Sequence, residues 1–320
     1  MLYALIKIPA RLAIYFYCRD IVINKKELLQ HNGPLLLAVN HPNSFLDAIL
    51  LCTLFDKPVY SLARGDAFKG SFAASILYKL KILPVYRVSE GVENLEENYK
   101  TFDDCKKIFK QNGIVLIFSE GRCINEWHLR PLKKGTARLT LSSWQDGIDL
   151  KVLPVGINYS SFKKFGKNIR LFFGEFITQK EVNTNDSQGR AIRLFNDNLA
   201  SQLKSFVFEI EGSNRQKLYE HFYVPQSFFK KTVLSIPAAA GFLLHAPLYY
   251  FIIFLNNKIV PEEGHYDSAM VGLSLFIYPL FVLLVTLLCY FFSGSWYSFL
   301  LIAILPFTAW AYIQLKAQLD

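Results

Sequence analysis

The chain has 320 residues, 52% of them hydrophobic, 15% aromatic and 19% charged, with a formal net charge of +9. That length suits one large domain or a domain with an appendage. A basic balance alone would fit nucleic acid, but no zinc-ligand spacing, helix-turn-helix signature or RNA-binding aromatic motif accompanies it, so no nucleic-acid partner is expected.

Residues 2–24 mix Leu, Ile and Tyr with Lys7, Arg11, Arg19 and Asp20. Those charges argue against a membrane span, and no cleavage site marks a signal peptide. An amphipathic helix in the membrane interface, assigned to residues 1–28, fits better; a core-packing helix is the alternative. Strand-like apolar runs then recur at 35–39, 59–62, 82–86, 114–118, 152–157 and 169–173. Helical patterns lie between several of them. Val92, Leu95, Tyr99, Phe102 and Phe109 mark one stripe, and Ile192, Phe195, Leu199, Leu203, Phe206 and Ile210 mark a second. The alternation predicts an α/β domain over 29–228 with a mixed, largely parallel sheet flanked by helices.

The first strand runs into Asn40-His41-Pro42-Asn43-Ser44-Phe45-Leu46-Asp47. Pro42 suits the first turn of a helix, which puts His41 at the strand-to-helix corner and Asp47 about a turn and a half along. A histidine backed by a carboxylate is a general base near neutral pH, the carboxylate fixing the tautomer and stabilising the imidazolium. A helix-capping histidine and a solvated aspartate are the bland alternative. Three more clusters follow later strands, where α/β folds gather ligand-binding groups. Arg87 follows 81–86, Ser119-Glu120-Gly121-Arg122 follows 114–118, and 152–157 is itself a strand containing Pro154. Arg87 and Arg122 offer fork-shaped donors to a phosphate, and Gly121 lets backbone approach a ligand.

Composition changes near Phe228–Thr232. Residues 1–231 hold 33 basic and 22 acidic residues, a net charge of +11, whereas 232–320 carry −2. A basic body on an apolar tail suits an enzyme held at an anionic membrane. Residues 229–320 are expected to supply two or three transmembrane helices. The candidates are 234–255, interrupted by Pro237, His245 and Pro247, so that it could instead be re-entrant; 269–292, containing Pro279; and 296–313, flanked by Trp296 and Trp310. Ser293-Gly294-Ser295 forces a tight hairpin between the last two. Lys230 and Lys231 precede the first segment while Glu262, Glu263 and Asp267 lie in the next loop, so the positive-inside rule puts residue 231 on the cytoplasmic side. Cys18, Cys52, Cys105, Cys123 and Cys289 are scattered, odd in number and without a C-x-x-C pair; they fit a reducing, cytoplasm-facing body and form neither a disulfide framework nor a metal site.

In this order and at these intervals the clusters resemble the glycerolipid acyltransferase family, which includes the glycerol-3-phosphate and 1-acylglycerol-3-phosphate acyltransferases. Asn40, His41 and Asp47 resemble its first block, although five residues rather than four separate His41 from Asp47. Arg87 matches the arginine of the second block, Phe118 to Arg122 match the third loosely, without its proline and one residue short, and Val152–Ile157 match the fourth. The similarity covers roughly residues 30–175. It implies transfer of a fatty acyl group from acyl-CoA or acyl carrier protein to a hydroxyl of a phosphorylated glycerol acceptor, in phospholipid synthesis. His41 would be the base and Asp47 its orienter. Arg87, Glu120, Gly121 and Arg122 would bind the acceptor, with membrane lipids as partners and no metal or cofactor. Acylation of another lipid acceptor, and a non-catalytic protein that binds anionic lipid, remain the alternatives. The absence of a G-x-S-x-G elbow speaks against a hydrolase.

Overall fold

A computed structural model describes residues 2–86, 95–182, 187–212, 214–260 and 263–319. The chain divides into two compact units: Met1–Ile8, Val22–Asn158 and Arg170–Gly212 form the first, and Pro9–Ile21, Tyr159–Ile169 and Ser213–Asp320 form the second.

The first unit is built on a seven-stranded sheet. Its spatial order is β1 (Cys18–Ile23), β7 (Lys167–Phe173), β6 (Lys151–Tyr159), β2 (Leu35–Val39), β5 (Ile114–Phe118), β3 (Val59–Arg64) and β4 (Ile82–Val85). Strands β1, β6 and β7 continue into the second unit. β2 pairs in parallel with β5 and β6, and β3 with β5 and β4, so five strands end at one edge. β7 turns back antiparallel: Ser160 N–H donates to Asn168 O and Gly174 N–H to Pro154 O, both at 2.9 Å. The sheet is therefore mixed and largely parallel, as the alternation predicts.

All five residues of β2 are buried, because a central parallel strand is covered on both faces. On one face Leu36, Ala38, Val115 and Ile117 pack with three helices. These are α4 (Leu95–Lys110), α5 (Lys134–Gln145) and α6 (Gln188–Phe206), through Cys105 and Phe109, Ala137 and Trp144, and Phe195, Leu199 and Leu203. The crossovers α2 (Ser44–Leu54) and α3 (Ser71–Lys79) join β2 to β3 and β3 to β4.

The N-terminal helix, α1 (Leu2–Tyr17), stops well short of residue 28, and β1 follows it directly. Ile21, Val22 and Ile23 are β-branched and complete the sheet edge. Arg19, which a helical reading puts on the polar face, is buried. Its Nε donates to Ile313 O at 3.0 Å and its Nη2 to Lys316 O at 2.6 Å. What remains of the helix exposes Leu5, Ile8, Leu12 and Tyr15 at spacings of three and four, an apolar stripe of the kind an interfacial helix needs.

The second unit holds α7 (Arg215–Phe222) and three segments long and apolar enough to cross a membrane. They are α8 (Phe228–Ile259), α9 (Tyr266–Ser293), and Trp296–Leu315, a short 3-10 turn leading into α10 (Leu301–Leu315). α8 runs on through Pro237 and Pro247. A Cβ on Gly241 would lie 2.1 Å from Thr308 O, so α8 and α10 cross at a residue that must be glycine. Lys167 and Asp267 form an ion pair with both side chains fully buried, and Tyr17 Oη donates to the same carboxylate at 2.6 Å.

Candidate active site

Everything in this site lies in the first unit, at the edge where β2 and β5 end. Asn40 closes β2 with its side chain, donating from Nδ2 to Ile157 O (3.0 Å) and accepting from Ile157 N–H (2.8 Å). The amide copies a backbone pair and ties the end of β2 to β6. The helix then starts at Ser44, two residues later than Pro42. Asn43 is extended in φ, at −142°, and Ser44 takes a left-handed φ of +50°. A left-handed non-glycine residue costs roughly 1 kcal/mol, and here it absorbs the fifth intervening residue. Asp47 consequently sits in the first turn of α2 rather than a turn and a half along.

From that position Asp47 Oδ2 accepts His41 Nδ1–H at 2.9 Å and Asn43 N–H at 2.8 Å. An ionised carboxylate only accepts, so Nδ1 carries the hydrogen and Nε2 keeps the lone pair. Asp47 is fully buried and the His41 side chain is 16% exposed, so the pair is largely shielded from solvent yet His41 remains accessible. The imidazole also stacks on Phe118, with centroids 3.7 Å apart and planes 9° apart.

The loop after β5 clamps this corner. Glu120 Oε2 accepts His41 N–H at 2.8 Å and Oε1 accepts Arg130 N–H at 2.9 Å, so one carboxylate bridges two loops. Burial pushes the Glu120 carboxyl up, against the opposing pull of those two bonds. Ser44 N–H donates to Cys123 Sγ at 2.8 Å, and Asn125 Nδ2 to Pro42 O at 2.9 Å. Burial, then Asp47, drives the Cys123 thiol up to about 12, which favours the protonated form. Gly121 has a φ of +68°, and a Cβ there would stand 3.0 Å from Lys133 Cγ. Lys133 N–H in turn donates to Ser119 O at 2.7 Å, which sets the start of α5 beside the turn.

The structure thus gathers His41, Asp47 and Glu120, with Gly121 next in chain. Arg122 is exposed on the following loop, and among the described residues no hydrogen bond or ion pair ties it to the cluster. Arg87 lies outside the described residues. Arg130, Cys123 and Asn125 escape sequence reasoning because the segment between β5 and α5 has no periodicity. The Phe118 stack is equally silent in sequence, since an aromatic ending a buried strand reads as core. Chemically the cluster offers a histidine oriented by a buried carboxylate, a group able to act as a general base. Among the described residues, no group of three or more His, Cys, Asp or Glu stands where it could hold a metal ion.

Residues 20–158 match the family model described as Acyltransferase. No curated protein matches the chain. Among solved structures, the chain is similar to the 1-acyl-sn-glycerophosphate (LPA) acyltransferase PlsC from Thermotoga maritima. Identity is 15% and the TM-score 0.47, over 64% of this chain and 77% of that one.

Proposed function

We propose that the protein is a membrane-bound O-acyltransferase moving a fatty acyl group from an acyl thioester to a hydroxyl of glycerol-3-phosphate or 1-acylglycerol-3-phosphate, a reading supported by the match of residues 20–158 to the Acyltransferase family model. The thioester is acyl-CoA or acyl carrier protein. The observation that carries the reading is the fully buried Asp47 holding His41 Nδ1–H, which leaves Nε2 as the proton acceptor.

In the reaction the acceptor oxygen attacks the thioester carbonyl carbon as His41 Nε2 takes the hydroxyl proton. The C–S bond then breaks, the ester forms, and the imidazolium returns that proton to the departing thiolate. Asp47 holds the ring and stabilises its cation; general-base help of this kind is worth about 10²–10⁴-fold. Arg87 and Arg122 hold the acceptor phosphate, and the Glu120-Gly121 turn shapes its pocket. Holding both reactants in one geometry supplies much of the rest of the rate.

The three apolar segments support attachment to a membrane, and the +11 charge of residues 1–231 supports placing the catalytic unit on the cytoplasmic face. A purely anionic-lipid-binding protein is disfavoured because lipid binding needs no histidine–carboxylate dyad. The test is purified protein with acyl-CoA or acyl carrier protein and labelled glycerol-3-phosphate, its 1-acyl derivative or an unphosphorylated monoacylglycerol. Ester should form only with a phosphorylated acceptor. Product from monoacylglycerol alone would point to another lipid acceptor, and no product from any pair would refute the reading.

A further inference from the structure

The ends of the three apolar segments are tied in a way that decides how many of them cross. At the start of α9, Asp267 accepts from Tyr17 Oη and pairs with Lys167. At the end of α10, Ile313 O and Lys316 O accept from Arg19, and Lys316 Nζ donates to Phe165 O at 3.0 Å. One clamp, residues 17–19 and 165–167, therefore holds both the beginning of α9 and the end of α10. α9 and α10 leave this clamp and return to it, with Ser293-Gly294-Ser295 as the far tip.

α8 is fixed to the same place at both ends. In its first turn Lys230 Nζ donates to Gln314 Oε1 at 2.7 Å, and just before it Gln226 Nε2 donates to Gln314 O. In its last turn Asn256 Nδ2 donates to Tyr266 O at 3.3 Å, one residue before the clamped Asp267. Two turns before that end α8 also touches the clamp, Tyr249 lying 4.6 Å from Phe165 between ring centroids. A helix crossing a hydrocarbon core about 30 Å thick has its ends on opposite sides. Those of α8 are bonded to residues that share one side.

Charge placement says the same independently. In sequence, the charges Lys230, Lys231, Lys258, Glu262, Glu263, Asp267 and Lys316 all lie near the start or end of α8, the start of α9 or the end of α10, and Ser293-Gly294-Ser295 between α9 and α10 carries none. A crossing α8 would translocate Lys258 and three carboxylates; a non-crossing one keeps every basic residue on one side, as the positive-inside rule asks. α8 also exposes Phe228, Phe229, Ile236, Leu243 and Ile259, from 61% to 85%, apolar surface that fits acyl chains.

We propose that α8 lies within one leaflet with both ends on the side of residues 159–169, and that α9 and α10 alone cross, as a hairpin. This rests on the membrane-bound reading above, and it reverses the side that the charges of the 262–267 loop suggest when α8 is taken as a span.

The test uses full-length protein in sealed vesicles of both orientations, lacking Cys52, Cys123 and Cys289 and keeping the buried Cys18 and Cys105. Single cysteines are placed at Lys163, Asn257, Val260 and Ser295 and probed with a membrane-impermeant maleimide. Asn257→Cys and Val260→Cys should label from the same side as Lys163→Cys, and Ser295→Cys from the opposite side. Labelling of both 257 and 260 from the side of 295 would overturn the proposal, as would labelling of all four from one side. Alkaline carbonate extraction distinguishes failure of the premise: release into the supernatant removes the membrane-bound reading itself, whereas retention with the wrong labelling pattern removes only the hairpin.

Discussion

The His41 imidazole lies flat on the Phe118 ring, centroids 3.7 Å apart and planes within 9°. A ring face is electron-rich, so it favours the imidazolium that forms when the base takes a proton and resists rotation of the neutral ring. Such contacts are worth about 0.5–2 kcal/mol. Phe118→Leu, which preserves apolar bulk, should lower kcat roughly 2–30-fold with the acceptor KM little changed. A KM effect with intact kcat would mean that Phe118 shapes a pocket instead.

His41 and Asp47 should behave as one device. His41→Ala should abolish measurable transfer while donor and acceptor still bind. Asp47→Asn should also be severe, because an amide can hold the ring but cannot stabilise its cation. The double variant should be hardly worse than His41→Ala, since groups acting together give non-additive losses. Most activity surviving in Asp47→Asn alone would dissolve the dyad.

Sequence alone was informative wherever one residue's type settled its environment. The continuous Leu35–Val39 run announces a strand covered on both faces, and Ile192, Phe195, Leu199 and Leu203 of the second stripe line the buried face of α6; in the first stripe Tyr99 is exposed and Val92 lies outside the described residues. The dyad was legible as composition but not as geometry: the five-residue gap is bridged by the left-handed φ of Ser44, and nothing about a serine signals that conformation. Arg19 misled for a different reason. Its Nε and Nη2 donate to carbonyls 294 and 297 residues away, and a local pattern carries no such information. The same holds for Glu120, whose partners Arg130 and His41 are set by loop packing.

Glu120 makes a sharper demand than a general preference for an acid. Both oxygens accept from backbone N–H groups, so Glu120→Gln must set an NH₂ against one of them. Leaving a buried donor without an acceptor costs about 1–3 kcal/mol. Activity should fall because the His41 backbone shifts. The pH dependence has a definite sign. Burial raises the carboxyl in the folded state, so its contribution to stability is full below the ordinary glutamate value, about 4.3, and is lost as pH rises through the raised one. The melting-temperature advantage of the wild type over Glu120→Gln should therefore shrink as pH rises across that window. An advantage that grew would contradict the burial argument.

Acceptor recognition should separate charge from shape. Arg122 is exposed and outside the hydrogen-bonded cluster, so Arg122→Ala should not destabilise the fold. If it grips the acceptor phosphate, its removal should raise the acceptor KM while leaving the donor KM alone. Arg122→Lys should restore only part of the loss, because a point charge replaces a fork. The same pair of substitutions at Arg87 tests the second cation. Unchanged acceptor kinetics in both series would move the phosphate site to Lys133 and Lys134.

The buried pair in the second unit gives the last prediction. Lys167 and Asp267 are fully buried, and Tyr17 Oη shares the carboxylate at 2.6 Å. Taking two charges out of water is expensive, and their attraction offsets the cost only while both are present. Asp267→Asn leaves an ammonium facing a neutral amide, and Lys167→Met leaves a buried carboxylate without its ammonium. Each should cost about 3–5 kcal/mol. Replacing both together, Lys167→Met with Asp267→Leu, should recover most of that and leave chiefly the lost tyrosine bond, about 1 kcal/mol. Thermal melting of the detergent-solubilised full chain reads the difference, with the double variant melting above either single one. Because the pair also pins the start of α9, Asp267→Asn should expose Lys258 to trypsin sooner than in the wild type. A double variant melting below both singles would mean that the site is held by shape rather than by the balance of charge.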